Sequence, residues 1–227
     1  MHLLLGLLLL VGLIYGPQLW VRAVMARHRG ERSDFPGTGG ELAAHLLAVN
    51  GISDVAVTTT EAGDHYDPEQ RQVALTPDHY GGRSLTAVAV AAHEVGHALQ
   101  HHAGYGPLLL RHRLVRLAHR IQRAGSFVVM AAPLILVVSR SPAAAALPII
   151  GGLGGVAAGV VVHLITLPVE LDASFRRALP QLIQGSYLAP ADHRRARRIL
   201  TAAALTYVAG ALSQLLNLWY WLRLLRR

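Results

Sequence analysis

Two histidines and a glutamate near the middle of the chain have a spacing suited to metal chemistry. The run His93-Glu94-Val95-Gly96-His97 places two imidazoles four residues apart, on one face of a helix. Both can then reach one tetrahedral zinc ion at about 2.0 to 2.1 Å. Glu94 follows the first ligand and can take a proton from the attacking water and pass it to a leaving amine. The pattern predicts a catalytic zinc site with Glu94 as general base and with His93 and His97 as ligands.

A catalytic zinc site needs a third protein ligand, and cysteine cannot supply it because the chain contains none. Beyond His97 the acidic residues are Glu170, Asp172 and Asp192. Glu170 lies where a long apolar stretch ends, which favours it as the third ligand. The alternative is an interfacial carboxylate paired with Arg176 or Arg177. Asp172 could orient a ligand imidazole or could be a solvated acid.

The histidine pair needs a helix, and the sequence predicts one over residues 84–103, ended by Gly104. An earlier helix is predicted from a capping box, in which Thr38 is the N-cap and Glu41 the third helical residue, and it ends at Asn50-Gly51.

Two short runs between these helices, Val55–Thr60 and Arg71–Leu75, are rich in β-prone residues. A polar turn containing Asp67-Pro68 separates them, and together they predict an antiparallel pair of strands. The run Val73–Leu75 is a candidate for an open strand edge on which an extended peptide could pair, or else for an ordinary edge strand.

Composition places the remaining segments in a membrane. The chain is 52% hydrophobic and 15% charged, with a mean hydropathy of +0.37, whereas soluble domains carry about 25% charged residues. Apolar stretches predict a transmembrane helix over residues 1–26, a transmembrane helical hairpin over 124–168, and a transmembrane or interfacial helix over 200–227.

Arginine placement gives the expected orientation. All 21 basic residues are arginine, and with four spans 17 of them fall on the side that holds the stretches from Arg22 to Arg123 and from Arg176 to Arg198. That side should be cytoplasmic, so 27–123 is predicted to be the cytoplasmic catalytic domain and 169–199 a cytoplasmic segment carrying the third ligand. This distribution accounts for most of the net charge of +8 without any nucleic-acid partner.

Four separated motifs carry a family resemblance. They are Asp64-His65-Tyr66-Asp67-Pro68, Tyr80-Gly81-Gly82-Arg83-Ser84, the residues from Ala91 to Ala98 around the histidine pair, and Leu167-Pro168-Val169-Glu170. With the order of apolar segments over nearly the whole chain, they resemble the YugP-like family of neutral membrane zinc metallopeptidases, which is distantly similar to the HtpX and CAAX prenyl proteases. The resemblance implies a zinc-dependent, gluzincin-like membrane peptidase and supports Glu170 as the third ligand. In those distant relatives an aspartate follows the glutamate by four residues, whereas Ser174 stands there in this chain.

The predicted fold is thus a mainly α membrane protein, with about four transmembrane helices and a small α+β zincin-like catalytic domain. The predicted function is a multi-pass zinc metalloendopeptidase of the cell membrane that hydrolyses peptide bonds of membrane-associated or misfolded proteins. The alternative is a non-hydrolytic membrane protein in which zinc clamps the soluble domain to the hairpin. Such a structural site would be closed by four protein ligands.

Overall fold

The computed structural model describes residues 2–139, 146–206 and 208, which form mainly helices and one small sheet. The helices are α1 His2–Arg27, α2 Gly39–Val49, α3 Pro77–Tyr80, α4 Leu85–His102, α5 Gly106–Ser139, α6 Ala146–Leu171, α7 Leu179–Gln184 and α8, the helical residues 193–206. A π-helix, Asp172–Ala178, joins α6 to α7, and a 3₁₀ turn, Pro190–Asp192, precedes α8. The strands are β1 Ala56–Thr59, β2 His65–Asp67 and β3 Gln72–Leu75.

Both helices predicted from capping signals lie where the sequence places them. The Thr38 hydroxyl accepts a hydrogen bond from the Glu41 backbone amide at 3.2 Å, and the Glu41 carboxylate accepts one from the Thr38 amide at 2.8 Å. This reciprocal pair satisfies two amides that have no partner within α2. Ser84 caps α4 in a similar way, because its hydroxyl accepts a hydrogen bond from the Ala87 amide at 3.1 Å. Gly104, with φ of 63°, ends that helix in the left-handed region.

The predicted antiparallel pair of strands is wrong in direction. β1 pairs with β3 in parallel, and the intervening strand β2 pairs with β3 antiparallel, giving the order β1-β3-β2. The turn containing Asp67 closes the β2–β3 hairpin, since its carboxylate accepts hydrogen bonds from the amides of Glu69 and Gln70 at 2.7 and 3.0 Å. The chain thus reverses twice between β1 and β3, and the two run the same way.

The same topology corrects the expectation of an open edge at Val73–Leu75. β3 is the central strand and has a partner on each side, so its backbone groups are already paired. Within the sheet, β2 and β1 are the edge strands.

Helix α4 is the centre of the core. Every residue from Leu85 to Ala98 is buried, and α2, the sheet and the π-helix pack around it. Ile199 and Leu200 of α8 are fully buried in the same core as α4. Residue 200, where a transmembrane or interfacial helix was predicted to begin, therefore lies inside a helix that belongs to this core. Burying a leucine or isoleucine side chain contributes about 1.5 to 3 kcal/mol, so α8 is an integral part of this core.

Helices α5 and α6 occupy the region of the predicted hairpin and pack against each other. α5 begins at Gly106, so residue 124, the expected start of the hairpin, lies within a continuous helix. Gly155 of α6 is buried against Gln122 of α5, whose Cγ would lie 3.7 Å from an added Cβ, in ordinary van der Waals contact. The small residue therefore lies at the α5–α6 interface, as helix packing in lipid favours.

The expectation of about four transmembrane helices is not confirmed. Among the described residues, one segment, Ala158–Gln184, is long and apolar enough to cross a membrane, and 39% of its most apolar window is buried inside the protein. A core helix of a soluble protein meets the same criterion. Residues 140–145 of the predicted hairpin and nearly all of the predicted C-terminal helix beyond residue 206 lie outside the described residues.

The α2 cap generates a first prediction. Replacing Thr38 with Ala removes the side-chain acceptor, and we expect the free energy of unfolding to fall by about 1 kcal/mol. Thermal or denaturant unfolding of the purified chain in detergent measures this change. Thr38→Ser keeps the hydroxyl and should retain the stability of the unmodified protein; equal losses in both variants would contradict the role of the cap.

Candidate metal centre

Helix α4 and the end of α6 bring three potential metal ligands together. His93 and His97 project from successive turns of α4, and Glu170 comes from the last turn of α6. Glu170 Oε2 lies 3.1 Å from His93 Nε2 and 3.2 Å from His97 Nε2. All three side chains are buried, and their ligand atoms lie within 4.8 Å of one another. The structure thus joins the three residues that the sequence indicated as metal ligands.

Gln100 fixes the orientation and tautomer of His97. Its amide nitrogen donates to the Val169 carbonyl oxygen at 2.8 Å, which identifies the other amide atom as oxygen. That oxygen lies 2.9 Å from His97 Nδ1 and accepts the proton of that nitrogen. In the neutral ring, His97 Nε2 therefore carries a lone pair that points toward Glu170.

Ser174 does the same for His93. Its hydroxyl donates to the Leu200 carbonyl oxygen of α8 at 3.2 Å, which leaves the hydroxyl oxygen to accept the Nδ1 proton of His93 at 3.0 Å. His93 Nε2 is then also unprotonated in the neutral ring. Such hydrogen bonds on the far nitrogen orient metal-bound histidines in many proteins.

This arrangement of donors and acceptors fits a cation. Two imidazole lone pairs and a carboxylate oxygen converge in a buried space, and three such atoms repel one another unless a positive charge lies between them. Ligand atoms about 2.0 to 2.1 Å from a tetrahedral zinc ion lie about 3.3 Å apart. The separations of 3.1 and 3.2 Å match that spacing closely. The set of two imidazoles and one carboxylate is also a common ligand set of catalytic zinc.

Arg111 holds the second oxygen of the Glu170 carboxylate. Its Nη1 lies 2.9 Å from Glu170 Oε1, while Oε2 faces the histidines. The alternative weighed for Glu170, an interfacial carboxylate paired with an arginine after it, is therefore met in part: Glu170 does pair with an arginine, but that arginine comes from α5. Because Arg111 occupies Oε1, Glu170 presents one oxygen to the site.

Asp172 supports the site indirectly. Its Oδ2 accepts hydrogen bonds from Gln100 Nε2 at 2.8 Å and from Arg177 Nε at 2.9 Å. It contacts the amide that orients His97, but it makes no direct contact with either imidazole among the described hydrogen bonds. Asp172 therefore holds Gln100 in place, and Gln100 in turn orients His97.

Glu94 lies on the same turn as the ligands and is only 7% exposed. Burial raises the pKa of its carboxyl to about 7, with smaller contributions from the charges of Glu170 and Asp64, while His93 and His65 act in the opposite direction. The charges that act on Glu94 thus belong both to the ligand cluster and to the start of β2. A carboxyl with a pKa near neutrality can both accept and donate a proton at physiological pH.

Gly96 allows the two halves of the site to meet. A Cβ atom at this position would lie 2.7 Å from the backbone oxygen of Ala173, a distance that side chains do not tolerate. The π-helix backbone therefore lies directly against α4 at Gly96. Because π-helical turns occur frequently at functional sites, the winding here is consistent with a site built on this contact.

Tyr66, His79 and Tyr80 precede α4 and carry polar groups that could stabilise a transition state, and their surroundings differ. The Tyr66 hydroxyl of β2 lies 2.7 Å from Nδ1 of His101, one turn after His97 on α4. His79 Nδ1 lies 2.7 Å from Asp64 Oδ2, next to Thr76. Tyr80 packs its ring against Gly40 at the start of α2. Of the three, Tyr66 is the one seen in contact with the metal-site helix through its hydroxyl.

Sequence reasoning did not find Gln100, Arg111 or the role of Ser174. Gln100 stands three residues after His97 and hence near the same helical face, a signal that was available. Ser174 occupies the position where the distant relatives carry an acid. The sequence therefore showed that this position is unusual, but it did not predict the hydrogen bond to His93. Arg111 gave no local signal, because its partner is 59 residues away.

Comparison with known proteins places the chain in a family. Residues 3–226 match the family described as "Putative neutral zinc metallopeptidase". The chain belongs to this family of zinc metallopeptidases. It is 37% identical over 211 residues to "Putative membrane protease YugP" of Bacillus subtilis (strain 168), which covers 92% of this chain and 89% of the relative. No solved structure matches it.

Membership of the zinc metallopeptidase family confirms two predictions. The resemblance read from the four motifs is correct, and zinc is the cofactor that the family implies. The buried group of His93, His97 and Glu170 is the part of the described chain that offers such an ion three ligands.

The contact between Gly96 and Ala173 generates the next prediction. Gly96→Ala should improve the intrinsic helix propensity of α4 by about 1 kcal/mol, yet it forces the π-helix and Glu170 away from the histidines. We expect zinc content after purification to fall at least several-fold, as measured by plasma mass spectrometry. Gly106→Ala is the matched control, because an added Cβ at that helical glycine meets no atom within 4 Å. Full zinc occupancy in Gly96→Ala would contradict the role of this contact.

The hydrogen bond from His93 to Ser174 gives a second prediction. Ser174→Ala leaves the Nδ1 proton of His93 without its acceptor, so we expect zinc affinity to fall about 10- to 100-fold. Competition with a zinc-binding dye measures the affinity. Ser53→Ala, the same change at an exposed position, should leave it unchanged. An affinity in Ser174→Ala equal to that of the unmodified chain would show that the hydroxyl does not position His93.

Proposed function

We propose that this chain is a membrane-bound zinc endopeptidase in which His93, His97 and Glu170 hold the metal and Glu94 transfers protons. The observation that carries the proposal is the convergence of two unprotonated Nε2 atoms and one carboxylate oxygen next to a buried glutamate. Membership of the zinc metallopeptidase family supports the same reaction class. The motif on α4 and the carboxylate on a second helix correspond to a gluzincin-like arrangement.

The residues of the site divide the reaction between them. When bound, zinc supplies a Lewis acid that polarises the peptide carbonyl and makes water acidic enough to lose a proton near neutral pH. Glu94 accepts that proton, and it then donates a proton to the leaving amine. Burial keeps the pKa of Glu94 near 7, so neither transfer is strongly uphill. Gln100 and Ser174 hold the imidazoles still while this occurs.

Strand β2 is the proposed docking edge for an extended substrate. It is an edge strand of the sheet and packs on α4, and its first residue, His65, acts electrostatically on Glu94. A peptide added to this edge would use the unpaired backbone groups of β2 and would lie along the metal-site helix. This places the scissile bond near Glu94.

The alternative, zinc as a structural clamp, has less support. A structural site needs a fourth protein ligand, and His101 and Asp172 were the candidates. His101 Nδ1 is engaged by the Tyr66 hydroxyl, and Asp172 by Gln100 and Arg177. In the described part of the chain the group of potential ligands has three members, which leaves one coordination position for water.

The proposed substrates are membrane-associated or misfolded proteins, cleaved on the cytoplasmic side of the cell membrane by a multi-pass protein. The name of the Bacillus relative, a membrane protease, supports the location. Glu170 follows directly after the predicted hairpin, which ends at residue 168, and this position would put the reaction close to the bilayer surface.

Replacing Glu94 with Gln tests the mechanism. The amide keeps the shape but cannot accept a proton, so we expect kcat on a casein or membrane-derived peptide to fall by about 10² to 10⁴-fold, while zinc content is unchanged. Purified chain in detergent and metal analysis of the same sample provide both readouts. Activity at the level of the unmodified enzyme in zinc-loaded Glu94→Gln would refute the role of Glu94.

Replacing Glu170 with Ala tests whether Glu170 is a zinc ligand. Both the peptidase and the structural clamp require it to be one. We expect the variant to lose most of its zinc and its activity, because one of three ligands is gone. Glu61→Ala, an exposed acid, is the control and should keep both. Unchanged zinc occupancy in Glu170→Ala would remove Glu170 from the ligand set. Loss of stability on chelation, in a zinc-loaded chain that shows no hydrolysis, would favour the clamp.

A further inference from the structure

The first half of α5, residues 106–123, presents three distinct faces. Successive residues of an α-helix are separated by about 100° around its axis. One face points inward: Arg111 binds Glu170, Ala118 is 7% exposed and Gln122 packs at Gly155. The other two faces are exposed and have contrasting chemistry.

The apolar exposed face is a stripe of Leu110, Leu117 and Ile121, which we call the leucine stripe. Their side chains are 49%, 51% and 41% exposed, and the spacing of seven and four residues keeps them within about 40° of one another. Beyond residue 123 the helix also exposes Phe127, Met130 and Leu134, which lie roughly 100° to 160° around the axis from the leucine stripe. A soluble protein rarely exposes so long an apolar surface unless something covers it.

The basic exposed face is a row of four arginines, Arg113, Arg116, Arg120 and Arg123, spaced by three, four and three residues. It lies roughly a quarter turn from the leucine stripe. Among the described ion pairs, one involves this row: Arg116 Nη1 lies 3.5 Å from Glu69 Oε1. Both side chains are exposed, so the pair contributes little to stability. The row thus presents several positive charges beside an apolar strip.

Helix length indicates what lies against these two faces. The uncharged part of α5, residues 124–138, is about 22 Å long, which falls short of a hydrocarbon core of about 30 Å. The whole helix has 34 residues and measures about 51 Å, so its first half extends beyond the hydrocarbon core. Leu117 and Ile121 lie within two turns of residue 124 and add apolar surface on one side of the helix. The arginine row ends at Arg123, directly before the uncharged part, where the phosphates would lie.

We propose that residues 110–123 of α5 bind an anionic bilayer at the headgroup level, with the leucine stripe at the acyl boundary and the arginine row on lipid phosphates. The proposal rests on the membrane location put forward under the proposed function. An apolar face flanked by arginine is the composition of interfacial helices, whose binding combines buried apolar area with attraction to anionic lipids. The segment predicted to be part of a soluble domain would then lie at the membrane surface.

This placement also sets the depth of the metal centre. Arg111 belongs to the same helical turns and donates to Glu170. If the leucine stripe is at the acyl boundary, the three ligands lie at the headgroup level, within reach of a peptide that emerges from the bilayer.

The absence of cysteine permits a direct test by single-site labelling. The full chain carrying Leu117→Cys is labelled with an environment-sensitive fluorophore and reconstituted into vesicles of phosphatidylcholine alone or mixed with phosphatidylglycerol. Quenching by iodide reports exposure to water, and quenching by a nitroxide on the upper acyl chain reports contact with lipid. His119→Cys, exposed on the opposite side of the same helix, is the matched control.

We expect the Leu117 label to be several-fold less accessible to iodide than the His119 label and to be quenched by the nitroxide lipid, more strongly with phosphatidylglycerol. Adding Arg113→Gln and Arg120→Gln should remove the dependence on phosphatidylglycerol. Equal iodide quenching of the two labels would overturn the proposal. Protection of the Leu117 label from both quenchers, whatever the lipid, would overturn it in favour of a second copy of the chain on this face.

The labelling readout does not require catalysis. The same result is expected in the Glu94→Gln variant, whose loss of activity tests the peptidase mechanism. Failure of the lipid contact and failure of the proposed reaction are therefore observed in separate measurements.

Discussion

The contact between Gly96 of α4 and the backbone of Ala173 sets the geometry on which the metal centre depends. At this point the π-helix approaches α4 so closely that a single Cβ would come within 2.7 Å of a carbonyl oxygen. The approach carries Glu170 to within 3.2 Å of both imidazoles and places Ser174 against His93. A ligand set spread over two distant segments of chain therefore depends on one small residue inside the histidine motif.

Around this contact, hydrogen bonds assign a role to each ligand atom. Gln100 and Ser174 accept the Nδ1 protons of the two histidines, so that both Nε2 atoms can bind a cation. Arg111 occupies one oxygen of Glu170 and leaves the other for the site. The partners come from α5, the π-helix and α8 as well as from α4, so the packing of the whole catalytic unit determines the ligand geometry.

The boundaries of α2 and α4 were predicted correctly because the residues that cap a helix lie close together in the sequence. The capping box at Thr38, the cap at Ser84 and the glycine that ends α4 each involve residues within a few positions, and the helices lie where these signals predicted. The strands were found, but the parallel pairing of β1 and β3 was not, because direction depends on where β2 inserts along the chain. The number of membrane spans was not confirmed, since apolar helices that cross a bilayer and apolar helices buried in a core share one composition.

By itself, the sequence determined the family and the cofactor. Two imidazoles one helical turn apart, a glutamate beside them, no cysteine and an acid at the end of an apolar stretch predict a zinc site with a proton-transfer group. Only the tertiary structure decided how that acid is held and which groups orient the histidines. Arg111 and Glu170 are 59 positions apart, and His93 and Ser174 are 81 apart. Residue spacing carries no information on contacts of that range, because they arise from helix packing and from a π-helical winding that local propensity does not specify.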